Sequence, residues 1–288
     1  MSEPSATTPP ATLAAALLLA RPSGVDRLDA QILLSTLLQR PRAWLLSHDQ
    51  DALPIEVAER FTALLQRRAQ GEPLAYLLGD KEFHGLSLRV TPDVLIPRPD
   101  TETLVDWALE RIPTTATTPP FEVLDLGTGS GAIALALQHR RPHAHVTAVD
   151  ASAAALAVAH GNAERLGLPV QTLLGSWFTP VHGQRFDLIV SNPPYIAQGD
   201  PHLPALAFEP EQALTSGPDG LDDIRLITAQ AARHLQAGGW LLLEHGWDQA
   251  EAVAQLLAAQ GFTHIGTRQD LGGQARCTGG KTRPLTQR

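Results

Sequence analysis

Along the first quarter of the chain, apolar residues recur every three or four positions: Leu28, Ile32, Leu33 and Leu37, then Val57, Phe61, Leu64 and Leu65. That spacing lines one face of a helix, so residues 12 to 78 predict a bundle of four or five short helices. Pro22, Pro41, Pro54 and Pro73 punctuate the runs, and Pro54 stands where a helix begins. Residues 1 to 10, rich in Ser, Thr and Pro, predict a frayed end. From Lys81 to Val90 the pattern alternates around Gly85, which predicts a hairpin. Leu95-Ile96-Pro97-Arg98-Pro99-Asp100-Thr101-Glu102 follows. Its prolines stiffen a loop, and Asp100 or Thr101 can cap a helix running to Ile112. Thr114 to Pro120 reads as a spacer.

From Phe121 onward β-like and helical runs alternate. Strands are predicted at 121–126, 145–150, 170–174, 186–191 and 239–244, and helices at about 131–140, 152–166, 222–236 and 248–260. Strands alternating with helices imply an α/β fold with a parallel, doubly wound sheet. Two last β-runs, 263–269 and 275–281, have no helix between them and are expected to close the sheet as an antiparallel pair. Three parts result: a small all-α domain over 1–80, a hairpin and Pro-rich linker over 81–100, and the α/β domain over 101–288. No internal repeat is visible.

The composition narrows the function classes. The 288 residues are 43% hydrophobic and 18% charged, enough for a buried core, which excludes disorder of the whole chain. Lys and Arg number 22 against 30 Asp and Glu, a net charge of -8. A protein that wraps duplex nucleic acid by neutralising phosphates usually has the opposite sign. The lone Cys277 excludes an intrachain disulfide and a cysteine-rich zinc site, and it fits a reducing compartment. The longest apolar run, Ala11 to Ala20, is about half the length that crosses a bilayer. Met1-Ser2-Glu3-Pro4 carries no positive charge, so no secretory leader is expected. The expectation is a cytoplasmic protein, off the membrane.

Two turns carry candidate chemistry. Val123-Leu124-Asp125-Leu126-Gly127-Thr128-Gly129-Ser130-Gly131 leads from an apolar strand into a helix. Its alternate glycines let backbone pass close to a ligand at a helix N-terminus, but the next glycine of a dinucleotide fingerprint is replaced by Ala132. Asp125 at the turn suits a cationic or hydroxylated ligand better than a phosphate. Asp150 ends the following strand, where a carboxylate can grip ribose hydroxyls. A tight turn with a helix cap is the plainer account of each motif alone; together they point to a nucleoside cofactor. The second turn is Ser191-Asn192-Pro193-Pro194-Tyr195, at the end of the buried strand Phe186 to Val190. Prolines have no N–H, so nearby carbonyls stay free to accept. With the Asn192 side-chain oxygen and the Tyr195 ring, the corner matches a planar NH2 group. A proline turn with a solvent-capping Asn is the plainer alternative.

Asp125 to Gly131, Asp150 and Asn192-Pro193-Pro194-Tyr195 resemble the class I S-adenosylmethionine-dependent methyltransferases that methylate planar nitrogen. Within these, the helical first domain, the hairpin, Leu95 to Glu102, Phe208-Glu209-Pro210 and Ser216-Gly217-Pro218-Asp219-Gly220-Leu221 resemble the peptide chain release factor N5-glutamine methyltransferases. The similarity spans nearly the whole chain from about residue 12. Asn-Pro-Pro-Tyr alone is shared with adenine-N6 methyltransferases of DNA and RNA; the Ile-Pro-Arg-Pro-Asp-Thr-Glu segment discriminates far better.

The resemblance implies a Rossmann-like class I methyltransferase domain and S-adenosyl-L-methionine as methyl donor, leaving S-adenosyl-L-homocysteine. Asp125, Gly127, Thr128, Gly129, Ser130 and Gly131 would cradle its methionine part, Asp150 its ribose and Trp177 its adenine, with Asn192 beside it. Ser176 stands where the family more often has Asp, though it can still accept a hydrogen bond. The implied substrate is the glutamine of the Gly-Gly-Gln loop of class I release factors, held by Asn192, Pro193, Pro194, Tyr195 and Arg98. Asn192, Pro193 and Tyr195 would then act by positioning the amide, with no metal. A monomer that binds no nucleic acid is expected.

Weaker features have plain explanations. Arg98, Asp100 and Glu102 contact a partner or merely shape a rigid loop, and Glu209 and Glu211 form a lid or a solvated edge. His139, His143 and His145 read as surface histidines, not metal ligands. Arg67-Arg68 reads as a solvated helix face. Gly272-Gly273-Gln274 reads as a turn that coincides with the substrate tripeptide. An adenine-N6 nucleic-acid methyltransferase would want a basic recognition region, yet the chain up to Leu78 has seven Arg against eight acids. A non-catalytic scaffold for a translation factor is the other alternative, and the intact Asp150 and Asn192-Pro193-Pro194-Tyr195 argue against it.

Overall fold

The computed structural model describes residues 9 to 283. Met1 to Pro4, where no secretory leader is expected, and most of the expected frayed end lie outside them. The chain divides into two compact units, the first ending at Gly79 and the second beginning at Asp80.

The first unit holds five helices: α1 (Leu13–Leu18), α2 (Arg27–Leu38), α3 (Arg42–Ser47), α4 (Ile55–Ala69) and α5 (Leu74–Leu78). Thr12 and Asp26 cap α1 and α2 by accepting N–H bonds from Ala15 and Leu28. The periodic residues meet in one core with Leu13, Leu33, Leu34, Leu45, Phe61 and Leu65 at its centre. Each such side chain contributes about 1.5–3 kcal/mol by leaving water. Leu28 departs from the expected face: it is 44% exposed, while its neighbour on the next turn, Gln31, is buried.

The second unit opens with a hairpin, β1 (Asp80–Phe83) and β2 (Leu86–Arg89), which pairs antiparallel. Asn162 receives the Arg89 N–H and donates to the Arg89 carbonyl, tying the hairpin to the main body of this unit. One 3-10 turn, Pro99–Thr101, leads into α6 (Glu102–Arg111). Neither Asp100 nor Thr101 caps that helix, contrary to expectation. Asp100 pairs with Arg276, and the Thr101 hydroxyl is claimed by a distant side chain described below.

Alternation then proceeds as β3 (Glu122–Leu126), α7 (Ala132–Arg140), β4 (His145–Asp150), α8 (Ala153–Leu166), β5 (Val170–Leu174), β6 (Phe186–Ser191), α9 (Asp222–His234), β7 (Leu235–Glu244), α10 (Ala250–Ala259), β8 (Thr263–Gln269) and β9 (Ala275–Lys281). The sheet order is β5-β4-β3-β6-β7-β9-β8. Strands β3 to β7 pair in parallel, and β9 inserts antiparallel between β7 and β8. β7 starts earlier than its apolar run, because Leu235 pairs with Phe186 across a bulge before Trp240 meets Leu188.

The two-residue period of the strands sorts their side chains between two cores. Val123, Val146, Leu188, Val190 and Leu242 face α6 and α7; Leu124, Leu126, Val149, Ile189, Leu241 and Leu243 face α9 and α10. Chain order reverses direction between β3 and β6, so the carboxyl ends of β3, β4 and β6 border a crevice where α/β sheets bind ligands. This is the class I methyltransferase architecture.

Candidate active site

A cavity of about 500 Å³ opens at those strand ends. The turn after β3 forms its floor. Backbone N–H groups of Gly127 and Thr128 bind the Val149 carbonyl at 2.9 and 3.0 Å, fastening the turn to β4. Gly131 takes a left-handed φ of 84°, and a Cβ there would stand 3.0 Å from Leu135 Cδ1 and 3.3 Å from the Ala159 methyl. Only glycine turns the chain into α7 at this point without strain. Thr128, Gly129 and Ser130 line the cavity.

The two acids of this region play different parts. Asp150 reaches the cavity wall. Its Oδ2 accepts the Gly129 N–H at 2.9 Å and its Oδ1 accepts the Ser152 N–H at 2.8 Å, leaving further lone pairs for ligand hydroxyls. Asp125, expected among the cofactor contacts, is completely buried. Its Oδ2 accepts the Thr128 hydroxyl at 2.7 Å and the Ala134 N–H at 3.3 Å, so it braces the turn from beneath. Burial pushes this carboxyl up to about 7 against those two bonds, helped by the charge of Asp150. Trp177 and Ser176 line the cavity, and the Trp177 ring lies over Gly127.

At the end of β6, the Ser191 hydroxyl bonds the Leu126 carbonyl at 2.7 Å and locks the neighbouring strand ends together. Asn192 and Pro194 line the cavity, whereas Pro193 and Tyr195 do not. Asn192 Nδ2 donates to Thr101 Oγ1 at 3.2 Å. In this orientation Oδ1 is left to accept from a ligand. The Tyr195 hydroxyl donates to Glu244 Oε1 at 3.3 Å, and the Tyr195 carbonyl receives Gln249 Nε2 at 3.0 Å. Burial and the Glu244 charge push the phenol's pKa well up, so it stays protonated. Gly220 passes so close to this corner that a Cβ would sit 2.2 Å from the Tyr195 carbonyl oxygen. Arg98, at the rim, pairs with Glu209, whose other oxygen accepts the Ile96 N–H at 3.1 Å.

This arrangement combines a ribose-type acceptor, a glycine floor and an amide acceptor at a rigid corner. Residues 12–79 match the PrmC N-terminal domain and residues 106–209 the methyltransferase small domain. A release factor glutamine methyltransferase of Pseudomonas aeruginosa is 50% identical over 88% of this chain and 92% of its own. One of Bordetella pertussis is 52% identical over 91% of this chain and 97% of its own. The chain belongs to the release factor glutamine methyltransferase family. The fold alone is shared more widely. A T. thermophilus 16S rRNA N2 G1207 methyltransferase, solved with AdoMet and guanosine, gives a TM-score of 0.55 at 22% identity over 71% of this chain and 50% of its own.

For a release factor glutamine methyltransferase, several residues matter more than the pattern of its sequence suggested. Glu209 is 8% exposed and is the buried partner of Arg98, so a solvated edge is ruled out for it; Glu211 is exposed. Thr101 reads only as a helix cap, and Glu244 and Gln249 escaped the sequence reading. Glu244 did carry a signal, an acid ending the apolar run Leu241-Leu242-Leu243, the same pattern that marks Asp150. The three histidines do not converge. His143 bonds the Pro113 carbonyl, His145 pairs with Glu122, and His139 is exposed. No helix of the described residues is long and apolar enough to cross a membrane. Gly272-Gly273-Gln274 lies in the exposed turn between β8 and β9.

Proposed function

We propose that this protein transfers a methyl group from S-adenosyl-L-methionine to the side-chain amide nitrogen of the glutamine in the Gly-Gly-Gln motif of class I peptide chain release factors. The observation that carries the reading is the Asn192 amide, tied by Nδ2 to Thr101 and presenting an acceptor oxygen at the cavity. The cavity suits the donor. The glycine floor admits a close ligand, Asp150 offers carboxylate lone pairs for ribose hydroxyls, and Trp177 offers a flat apolar face for a base. When bound, the donor supplies an electrophilic sulfonium methyl. Thr128, Gly129 and Ser130 would hold its methionine end, with Asp150 and Trp177 at the nucleoside.

The protein's own task is positioning. A carboxamide nitrogen is a poor nucleophile because its lone pair is delocalised into the carbonyl. Asn192 Oδ1 would accept one of its N–H bonds, aim the nitrogen and favour the positive charge that develops on it; the Pro193 carbonyl, expected to take the second, belongs to a residue that is buried outside the cavity lining. Tyr195 backs the corner from behind and, with Pro194, limits how the amide plane tilts. The nitrogen sheds its proton after transfer, so no strong base is required. Arg98, anchored by Glu209, stands at the rim where a release factor loop would enter.

Transfer of labelled methyl tests this reading. The label should appear on release factor and vanish when its glutamine is replaced; label on DNA or RNA, or none at all, refutes it. Asn192→Ala should abolish most of the transfer while leaving donor binding by calorimetry nearly unchanged. Equal losses in both would remove Asn192 from the role.

A further inference from the structure

Gln249 is placed with more care than a loop residue needs. It stands just before α10, where a side chain often caps the helix, yet it makes no cap. Its backbone is fixed at both ends: the N–H donates to the Gly246 carbonyl at 3.0 Å, and the carbonyl receives the Val253 N–H at 3.0 Å. Its side chain turns back to three other backbone groups. Oε1 accepts the Gly246 N–H at 2.8 Å, while Nε2 donates to the Tyr195 carbonyl at 3.0 Å and to the Asp219 carbonyl at 3.3 Å.

Those partners allow one amide orientation. A carbonyl only accepts and a backbone N–H only donates, so oxygen and nitrogen are each placed by a group with a single role. A carboxylate of the same shape could not donate to the two carbonyls, and a lysine or arginine could not accept from Gly246. One amide thus joins three segments: the loop after β6, the loop that leads into α9, and the turn between β7 and α10. Gly220 belongs to the same joint, because a Cβ there would stand 2.2 Å from the Tyr195 carbonyl oxygen and 2.8 Å from Gln249 Nε2.

The loop after β6 depends on such a tie. Pro193 and Pro194 have no N–H, so two successive residues of the corner can donate nothing to neighbouring backbone. Beyond them, the Ile196 N–H donates to the Leu214 carbonyl at 2.9 Å and the Ile196 carbonyl receives the Ser216 N–H at 2.9 Å, but both partners lie on another loop. The Tyr195 hydroxyl reaches Glu244 at the end of β7, and Gln249 fastens the Tyr195 backbone to the start of α10. We propose that Gln249 is a positioning residue, which acts through the Tyr195 carbonyl to hold the Asn192-Pro193-Pro194-Tyr195 corner where it aims the substrate amide. The inference rests on the glutamine-methylation reading and extends its positioning machinery to a residue that does not line the cavity.

Two variants test it. Gln249→Met keeps the length and removes every polar atom; Gln249→Glu keeps an acceptor for Gly246 and loses both donors. Each should lower kcat about tenfold, the effect of one lost hydrogen bond on a step governed by alignment. KM for the release factor and the dissociation constant for S-adenosyl-L-methionine should move less than about twofold, because the lost interaction acts on the transferring geometry and not on binding. Equal donor stoichiometry by calorimetry in the variants and the unaltered protein separates misalignment from a smaller folded fraction. Amide hydrogen exchange, read by mass spectrometry, needs no turnover: it should quicken over residues 195–198 in both variants while β6 and β7 stay protected. An unchanged kcat, a loss that falls equally on donor affinity, or unchanged exchange over 195–198 overturns the proposal. Quickened exchange in the variants of a protein that moves no methyl to release factor would keep the tie at Tyr195 and sink the substrate assignment.

Discussion

Replacing Asp125 by asparagine should flatten the pH dependence of folding stability, and the structure sets the size of the effect. Asp125 has no exposed surface, its Oδ1 has no hydrogen-bond partner, and its Oδ2 takes both available donors. Burial raises the carboxyl from 3.8 to about 7. Between those values the folded chain keeps a proton that the unfolded chain has released. Stability therefore falls as pH rises across that window and is level above it. The gap corresponds to roughly 4 kcal/mol at full ionisation. Asparagine is neutral at every pH and keeps a carbonyl oxygen for Thr128 and Ala134. Urea unfolding at several pH values between 5 and 8, followed by tryptophan fluorescence, measures the effect; Trp107, Trp177, Trp240 and Trp247 all report on the second unit. Because this range starts at pH 5, it samples only the part of the window from 5 to about 7, and the unaltered protein should lose about 3 kcal/mol more than Asp125→Asn over it. Parallel curves for the two proteins would show that Asp125 ionises as freely in the fold as out of it, and the account of a buried brace would fail.

Two further substitutions probe the cavity. Asp150→Ala should raise the dissociation constant for S-adenosyl-L-methionine far more than it lowers kcat at saturating donor, if this cavity-lining carboxylate holds the ribose as proposed; unchanged affinity by calorimetry would remove that role. Gly131→Ala should cost about 1–2 kcal/mol for a left-handed backbone alone, and more from the 3.0 Å approach to Leu135, read as a lower Tm; an unchanged Tm would mean that the turn relaxes freely.

Local pattern made most elements legible and left their cross-connections hidden. The strands and helices from β3 to α8 follow from runs whose period each strand or helix carries within itself. The antiparallel pairing of the last two strands was readable as well, because no helix separates them; that β9, not β8, lies against β7 was not. Thr101 shows the limit. Its position invites a helix cap, a decision taken within three residues, yet its hydroxyl is bound by Asn192, 91 positions away. Arg98 and Glu209 are 111 positions apart, and no periodicity predicts that they meet. The Ser216 to Leu221 motif could be matched to a family but not explained. Its Gly220 is required because the Tyr195 carbonyl lies where a side chain would begin.

Asp150 and Glu244 sharpen the point, since both end apolar strands whose carboxyl ends face the same side of the sheet. The sequence signal is identical, and the roles diverge through what each strand end encounters. β4 ends beneath the glycine turn, so Asp150 finds backbone N–H groups and remains open to the cavity. β7 ends beside β9, which pairs Cys277 with Glu244, and the Tyr195 hydroxyl meets Glu244 Oε1. Glu244 is thereby shut away, with Oε1 bonded to one hydroxyl and Oε2 without a hydrogen-bond partner. A carboxylate open to solvent and ligand can bind; one sealed from both cannot, and its burial raises its pKa instead. Which of these an acid becomes depends on the last strand to be added, 33 residues further along in the case of Glu244, and a reading confined to the strand itself has no access to it.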